Sequence, residues 1–214
     1  MFKEARELIA TIRDKDPAAH GAAEIIFAYP GFHAVMIHRF AHWCAIQGWT
    51  AFARWVSQVG RFLTGIEIHP KAKIGRRVFF DHAMGVVIGE TAEVGDDCTI
   101  YQGVTLGGTG KDKGKKRHPT IMHDCIISAG AKILGGITVH ENCKIGASSV
   151  VLKDVPANST VVGIPGRVIK TNGQKVHDLE QSTRDPVLEM IRTMEGEIKE
   201  LKDEIKRLKG ESDD

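Results

Sequence analysis

Between residues 66 and 168 apolar side chains return every six positions, and this period constrains the fold more than any other feature of the chain. Ile68, Ile74, Phe80, Val86, Ala92, Cys98 and Val104 are spaced by six. Ile121, Ile127, Ile133, Val139, Ile145 and Val151 form a second such series. A step of six fits neither the 3.6-residue turn of an α-helix nor the two-residue alternation of a hairpin meander. It is the period of a parallel β-helix, in which each hexad makes one short wall and three hexads close a triangular coil. Each coil buries its inward side chains only by stacking on the next, as solenoids do. The thirteen hexads of the two series predict about four coils.

Between the two series the register slips. The hexad starting at Val104 ends at Thr109 and the next begins at Ile121, so residues 110–120, GKDKGKKRHPT, read as an insertion. This stretch is polar and basic and cannot join an apolar stack. It is expected to project as a loop, where functional residues concentrate.

The flanks carry other periods. Residues 1–65 read as helical: Phe2, Ala5, Leu8, Ile9 and Ile12 share a helix face. Asp16-Pro17 reads as an N-cap with proline at the first helical position. Tyr29-Pro30-Gly31 breaks the chain, Phe32 to Trp43 predicts a further helix to near Gly48, and Thr50 is placed to cap another that stops near Gly65. Residues 66–170 hold the repeat, 171–184 read as a polar linker, and 185–210 read as a helix. In it Ile191, Ile198 and Ile205 fall at one heptad position, and Val187, Met194, Leu201 and Leu208 at the other. That two-in-seven seam predicts a coiled coil, with a surface helix docked on its own domain as the alternative. Isoleucine at a with leucine or methionine at d favours two strands, whereas a β-helix of this sort usually trimerises, so the strand number stays open.

Composition fits this division. The 214 residues are 42% hydrophobic and 26% charged, the balance of a soluble globular chain. A net charge of +2 gives no strong field toward nucleic acid or membrane. No apolar run of about 18 residues predicts a membrane span, and the charged N-terminal stretch MFKEARELIATIRDKDP has no signal-peptide core. Cys44, Cys98, Cys125 and Cys143 form no C-x-x-C pair, and the last three lie in apolar repeat segments. Buried reduced thiols and a cytoplasmic location are expected.

Two histidine settings stand out. His82 follows Asp81, with Glu67 fifteen residues earlier; Arg117-His118-Pro119 ends the inserted loop. A histidine in a turn is more often a surface residue than a catalyst. However, fifteen residues is close to one coil of 18, so Glu67 and His82 are expected within reach on neighbouring coils. A carboxylate against an imidazole fixes its tautomer and raises its basicity, as a general base requires.

The strings EIHPKAKIGRRVFFDHAMGVVIGETAEVG, VTLGGTGKDKGKKRHPTI and ISAGAKILGGITV, with KIGASSVVLKDVP and VVGIPGRVI, resemble the serine acetyltransferase family. The resemblance extends upstream through RDKDPAA and PGFHAVMIHRFAHW and covers about residues 12–170. Hexapeptide repeats are common to many acyltransferases; the DHAMG, TLGGTGK and RHP segments in this order are far more specific. The resemblance implies an α+β chain with a left-handed parallel β-helix, a homotrimer (with a dimer of trimers as a further possibility), and active sites between adjacent subunits. It implies acetyl-CoA as co-substrate, L-serine as acceptor, L-cysteine as feedback inhibitor and no metal. His82 would be the base and Glu67 its orienting carboxylate, where the best-known members carry aspartate. Asp16, Asp81, Arg117 and His118 match positions that hold the amino acid, and Gly108, Thr109, Ala129 and Lys144 match positions around the CoA arm. Some members insert a C-terminal isoleucine into O-acetylserine sulfhydrylase; this sequence ends Glu211-Ser212-Asp213-Asp214, so that complex is not expected.

Three rival readings remain. One is a γ-class carbonic anhydrase-like zinc enzyme, for which His82, His118 and His123 would be the ligands. Another is an acetyltransferase for a sugar or antibiotic hydroxyl, against which the acidic pair and Arg117 argue for a zwitterionic acceptor. The third is a non-catalytic scaffold organised by the coiled coil. His33, His38 and His42 lie at near-helical spacing and are explained by packing.

Overall fold

The computed structural model describes residues 2–110, 115–176, 194–202 and 204–205. Met1–His177 form one compact unit and Asp178–Asp214 a second. The first unit opens with four helices, α1 (Phe2–Lys15), α2 (Ala22–Ala28), α3 (Pro30–Ile46) and α4 (Thr50–Thr64). Each ends where its sequence cannot continue. Pro30 stands at the first turn of α3, where its missing N–H costs nothing. Gly65 caps α4 at φ 71°, in the left-handed region open to a residue without Cβ. Asp16-Pro17 does not start a helix. Asp16 instead accepts the Ala18 N–H on Oδ1 at 2.8 Å and turns the chain, and α2 begins only after Gly21.

The repeat folds into three parallel sheets. The first holds Glu67–Ile68, Val87–Ile88, Thr105–Gly107, Lys132–Leu134 and Val150–Val151. The second holds Lys73–Ile74, Glu93–Val94, Thr120–Ile121 and Thr138–Val139, extended by a bridge from Val139 to Val155. The third runs from Phe79–Phe80 through Thr99–Ile100, Ile126–Ile127 and Lys144–Ile145 to Ser159–Val162. Two antiparallel strands, Arg167–Thr171 and Gln174–Lys175, complete it. The first face has five levels, the thirteenth hexad at Val151 opening a fifth coil, and residues 155–162 continue the winding on the second and third faces.

The second residue of each short strand points inward. Ile68, Ile88, Leu106, Ile133 and Val151 form one buried column, and Phe80, Ile100, Ile127, Ile145 and Val161 another. Each large side chain so buried contributes about 1.5–3 kcal/mol. The pairings correct the reading of the first series. Ile68, Ile74 and Phe80 are column residues, but Val86, Ala92, Cys98 and Val104 lie two positions ahead of their column partners Ile88, Val94, Ile100 and Leu106 and fill the corners. Glu67 pairs with Val87, a coil of twenty residues, whereas Val87 pairs with Thr105, a coil of eighteen. The extra two residues lie in the turn containing His82.

The ends of the insertion also differ from expectation. Thr120 is already strand, and His118 and Pro119 are buried, so the chain rejoins the stack before residue 120. Residues 111–114 lie outside the described residues. Residues 171–176, expected as linker, belong to the closing strands: Thr171 pairs with Ser159, and Asn172 donates its N–H to the Asn158 carbonyl at 3.0 Å. Residues 177–193, with Val187 and Ile191 of the expected seam, lie outside the described residues, as does Leu208. Residues 194–202 are helical, and there Met194, Ile198 and Leu201 are about half exposed.

Candidate active site

The three sheets meet at three corners, and the chemically distinctive residues occupy two of them. At the corner between the third and first faces the chain leaves Phe79–Phe80 with two residues more than later coils use. The Asp81 carbonyl accepts the N–H of Ala83, making a tight turn centred on His82. His82 and Ala83 both have φ 54°, which a side-chain-bearing residue enters at a cost of about 1–2 kcal/mol. Ala83 is fully buried and anchors the turn; His82 projects outward with its side chain 81% exposed. Its Nε2 lies 3.9 Å from Asp81 Oδ1, beyond hydrogen-bond length.

Asp16 reaches the same corner from the end of α1. Its Oδ2 accepts a 2.7 Å hydrogen bond from the Tyr29 hydroxyl, which pushes the Tyr29 pKa up to about 12. Burial raises the Asp81 carboxyl above its ordinary range; the negative charge of Asp16 adds to the rise and His82 opposes it. A carboxylate raised in this way beside a second carboxylate is suited to a neighbouring cation. Glu67 takes a different partner from the one expected: its Oε2 lies 2.9 Å from Arg61 Nη1. Glu67 lies in register with Val87 on the next coil, and its carboxylate pairs with Arg61 in the last turn of α4.

At the corner between the first and second faces, Thr91 anchors the returning loop. Its Oγ1 accepts the backbone N–H of Arg117 at 3.2 Å and of His118 at 3.1 Å, and lies 2.8 Å from His118 Nδ1. Its carbonyl takes Lys116 Nζ at 2.7 Å. His118 is buried, and burial, reinforced by the Arg117 charge, lowers its pKa. The His118 ring lies against Gly89: a Cβ there would sit 2.0 Å from the ring. Arg117 Nη2 is 3.7 Å from Glu90 Oε2, and a hydrogen bond from Lys71 holds Glu90 below its usual range. Gly108 and Thr109 border the same corner, Gly108 against the His118 ring and Thr109 against Gly135.

Ala129 lies with His82's corner, further along the stack, where its carbonyl accepts the Ser148 N–H at 2.8 Å; Lys144 is exposed on the third face. The structure thus brings Asp16, Asp81 and His82 together, and separately Gly108, Thr109, Arg117 and His118. Within one chain the two groups flank the first face and do not meet. His123 is at the third corner, paired with Asp124 at 2.7 Å, so His82, His118 and His123 occupy three different corners. Among the described residues no three metal-ligating side chains converge. Sequence reading missed Tyr29, Glu90 and Thr91. In the sequence Tyr29 reads only as part of a chain break, and no local spacing ties Thr91 to a loop more than twenty residues away.

A stacked hexapeptide coil with an inserted basic loop and a strained histidine turn defines a hexapeptide-repeat transferase, and the family model of bacterial transferase hexapeptides (six repeats) matches residues 118–153. The serine acetyltransferase of Bacillus licheniformis is 56% identical over 99% of this chain and 99% of its own length, and that of Bacillus subtilis 57% over 95% and 94%. The chain belongs to the serine acetyltransferase family. Three solved structures are similar. The Brucella abortus enzyme in complex with coenzyme A is 46% identical with a TM-score of 0.77, over 79% of this chain and 68% of that one. The Neisseria gonorrhoeae enzyme in complex with serine is 39% identical with a TM-score of 0.74, over 78% and 68%. A serine acetyltransferase complexed with cysteine is 41% identical with a TM-score of 0.78, over 81% and 67%.

Proposed function

We propose that this chain transfers the acetyl group of acetyl-CoA to the hydroxyl of L-serine, forming O-acetyl-L-serine and CoA, the opening step of cysteine synthesis. One observation carries the site assignment: the residues matched to substrate positions divide between the two corners that bound the first face. Three copies with their first faces toward a common axis bring one copy's His82 corner against the next copy's Arg117 corner. On this reading the enzyme is a homotrimer of left-handed β-helices, and each active site needs two chains. The exposed stripe of the C-terminal helix joins copies as a coiled coil, and the enzyme works in the cytoplasm.

Each residue then has a chemical task. Asp16 and Asp81 take the serine ammonium, a role that the raised Asp81 carboxyl supports because a cation would relieve its repulsion from Asp16. Arg117 takes the carboxylate through its planar fork. Serine's hydroxyl is a weak nucleophile at neutral pH and needs a base at the moment of attack. His82 removes that proton as the oxygen attacks the thioester carbonyl, then returns it to the leaving CoA sulfur. A well-placed base contributes about 10²–10⁴ in rate. Glu67 orients His82 by exchanging Arg61 for the imidazole in the assembled site. Gly108, Thr109, Ala129 and Lys144 line the CoA arm. L-cysteine, which differs from serine by one atom, occupies the same amino-acid site as an inhibitor.

The test is serine-dependent release of CoA thiol by the wild type, His82→Ala, Arg117→Ala and the two variants co-expressed. Each variant alone should be inactive, and the mixture should regain part of the activity, because mixed trimers contain an interface with both wild-type halves. No regain would refute the shared site. Full activity in His82→Ala would refute the base assignment.

A further inference from the structure

We propose that Thr91 is a positioning residue of the amino-acid site: it holds His118 as the Nε2–H tautomer and seats the root of the inserted loop. The inference rests on the reading of His118 as a substrate-binding residue and identifies what prepares it.

The hydrogen bonds allow one consistent set of protons. The Thr91 backbone N–H, 3.2 Å from His118 Nδ1, can only donate, so Nδ1 must present its lone pair. Thr91 Oγ1 already accepts two backbone N–H groups, from Arg117 and His118, so its own proton is free to point at Nδ1, 2.8 Å away. Two donors therefore converge on Nδ1 and leave the ring proton on Nε2. That nitrogen is the edge next to Gly108, where a Cβ would stand 3.1 Å from it. Burial, with the Arg117 charge, disfavours a second proton on the ring.

The consequence is specific. Nε2–H is a donor and cannot accept, so His118 recognises an acceptor oxygen, which beside Arg117 is a carboxylate oxygen of the bound amino acid. The opposite tautomer would turn a lone pair toward that oxygen and repel it. Thr91 thus links two things a carboxylate site requires, the angle of the loop that carries Arg117 and the polarity of the neighbouring ring.

The test combines ¹⁵N NMR of histidine-labelled full-length protein with steady-state kinetics for the wild type, Thr91→Val and Thr91→Ser. In the wild type at pH 7, His118 should show a pyridine-type Nδ1 and a protonated Nε2. In Thr91→Val the Nδ1 resonance should move as its shorter donor is lost, and the KM for L-serine should rise about 10–100-fold, in line with a misplaced binding group. The KM for acetyl-CoA should be unchanged. Thr91→Ser should restore both resonance and KM. A protonated Nδ1 in the wild type would overturn the proposal. A moved resonance with unchanged serine KM would instead show that His118 does not bind the amino acid, so the site reading, and not the tautomer, would fail.

Discussion

Gly31 sits in the first turn of α3 directly on the backbone that leads into the His82 turn. A Cβ at this position would lie 2.1 Å from the Phe80 carbonyl oxygen and 2.8 Å from the Phe80 Cβ. Ordinary carbon–oxygen contacts begin near 3.3 Å, so Gly31→Ala must open the space between helix and strand by about 1 Å. The obstructing atom is a main-chain carbonyl inside a sheet, which cannot rotate aside as a side chain can. Overpacking usually costs about 1–3 kcal/mol, sometimes more, and this site belongs at the upper end, near 3 kcal/mol. For a unit of this size, each kcal/mol lowers the melting midpoint by about 2–4 °C, which predicts a fall of about 6–12 °C. Circular dichroism melts at one fixed protein concentration would measure it, with Gly21→Ala as the control because nothing lies within 4 Å of that site. Activity per folded enzyme should fall too, since Phe80 immediately precedes Asp81 and His82. A Gly31→Ala midpoint within about 2 °C of the wild type would refute the claim that α3 and the coil are in close backbone contact.

Three further outcomes are expected. Leu106→Ala, in the middle of a fully buried column, should lower stability by about 2–5 kcal/mol in denaturant melts. Burial depresses His38 to about 3 and His69 to about 4, from 6.5. Because the unfolded chain then binds more protons, stability should be complete above pH 6.5 and fall as pH drops toward 4, by up to about 2.7 kcal/mol per pH unit for two protons. His38→Leu should reduce that slope in melts across the range, and a wild-type stability flat from pH 6.5 to 4.5 would contradict it. Cys44, Cys98, Cys125 and Cys143 are buried free thiols, so a soluble disulfide reagent should label them only after unfolding; rapid labelling of the native protein would argue against this packing.

The hexad period alone determined that residues 66 onward coil into a parallel β-helix, because a six-residue repeat of apolar side chains has no other way to bury itself. Pro30 and Gly65 likewise announced their helix boundaries, through a missing donor and a permitted positive φ. The resemblance singled out His82, Asp16, Asp81 and Arg117, and the structure sets the first three at one corner of the coil and Arg117 at another. What the sequence could not convey was where a constant period hides a change of column. Val86 continues the spacing from Phe80, yet the column partner is Ile88, because a turn can absorb two residues without disturbing the apolar pattern. The same turn holds His82 in a strained conformation, and Glu67 pairs with Arg61 of α4, a contact between helix and coil that no repeat spacing encodes. The part played by Thr91 was hidden for the same reason. Its bonds to Arg117 and His118 cross a loop, and the geometry of a loop follows from what it lands on rather than from its own residues.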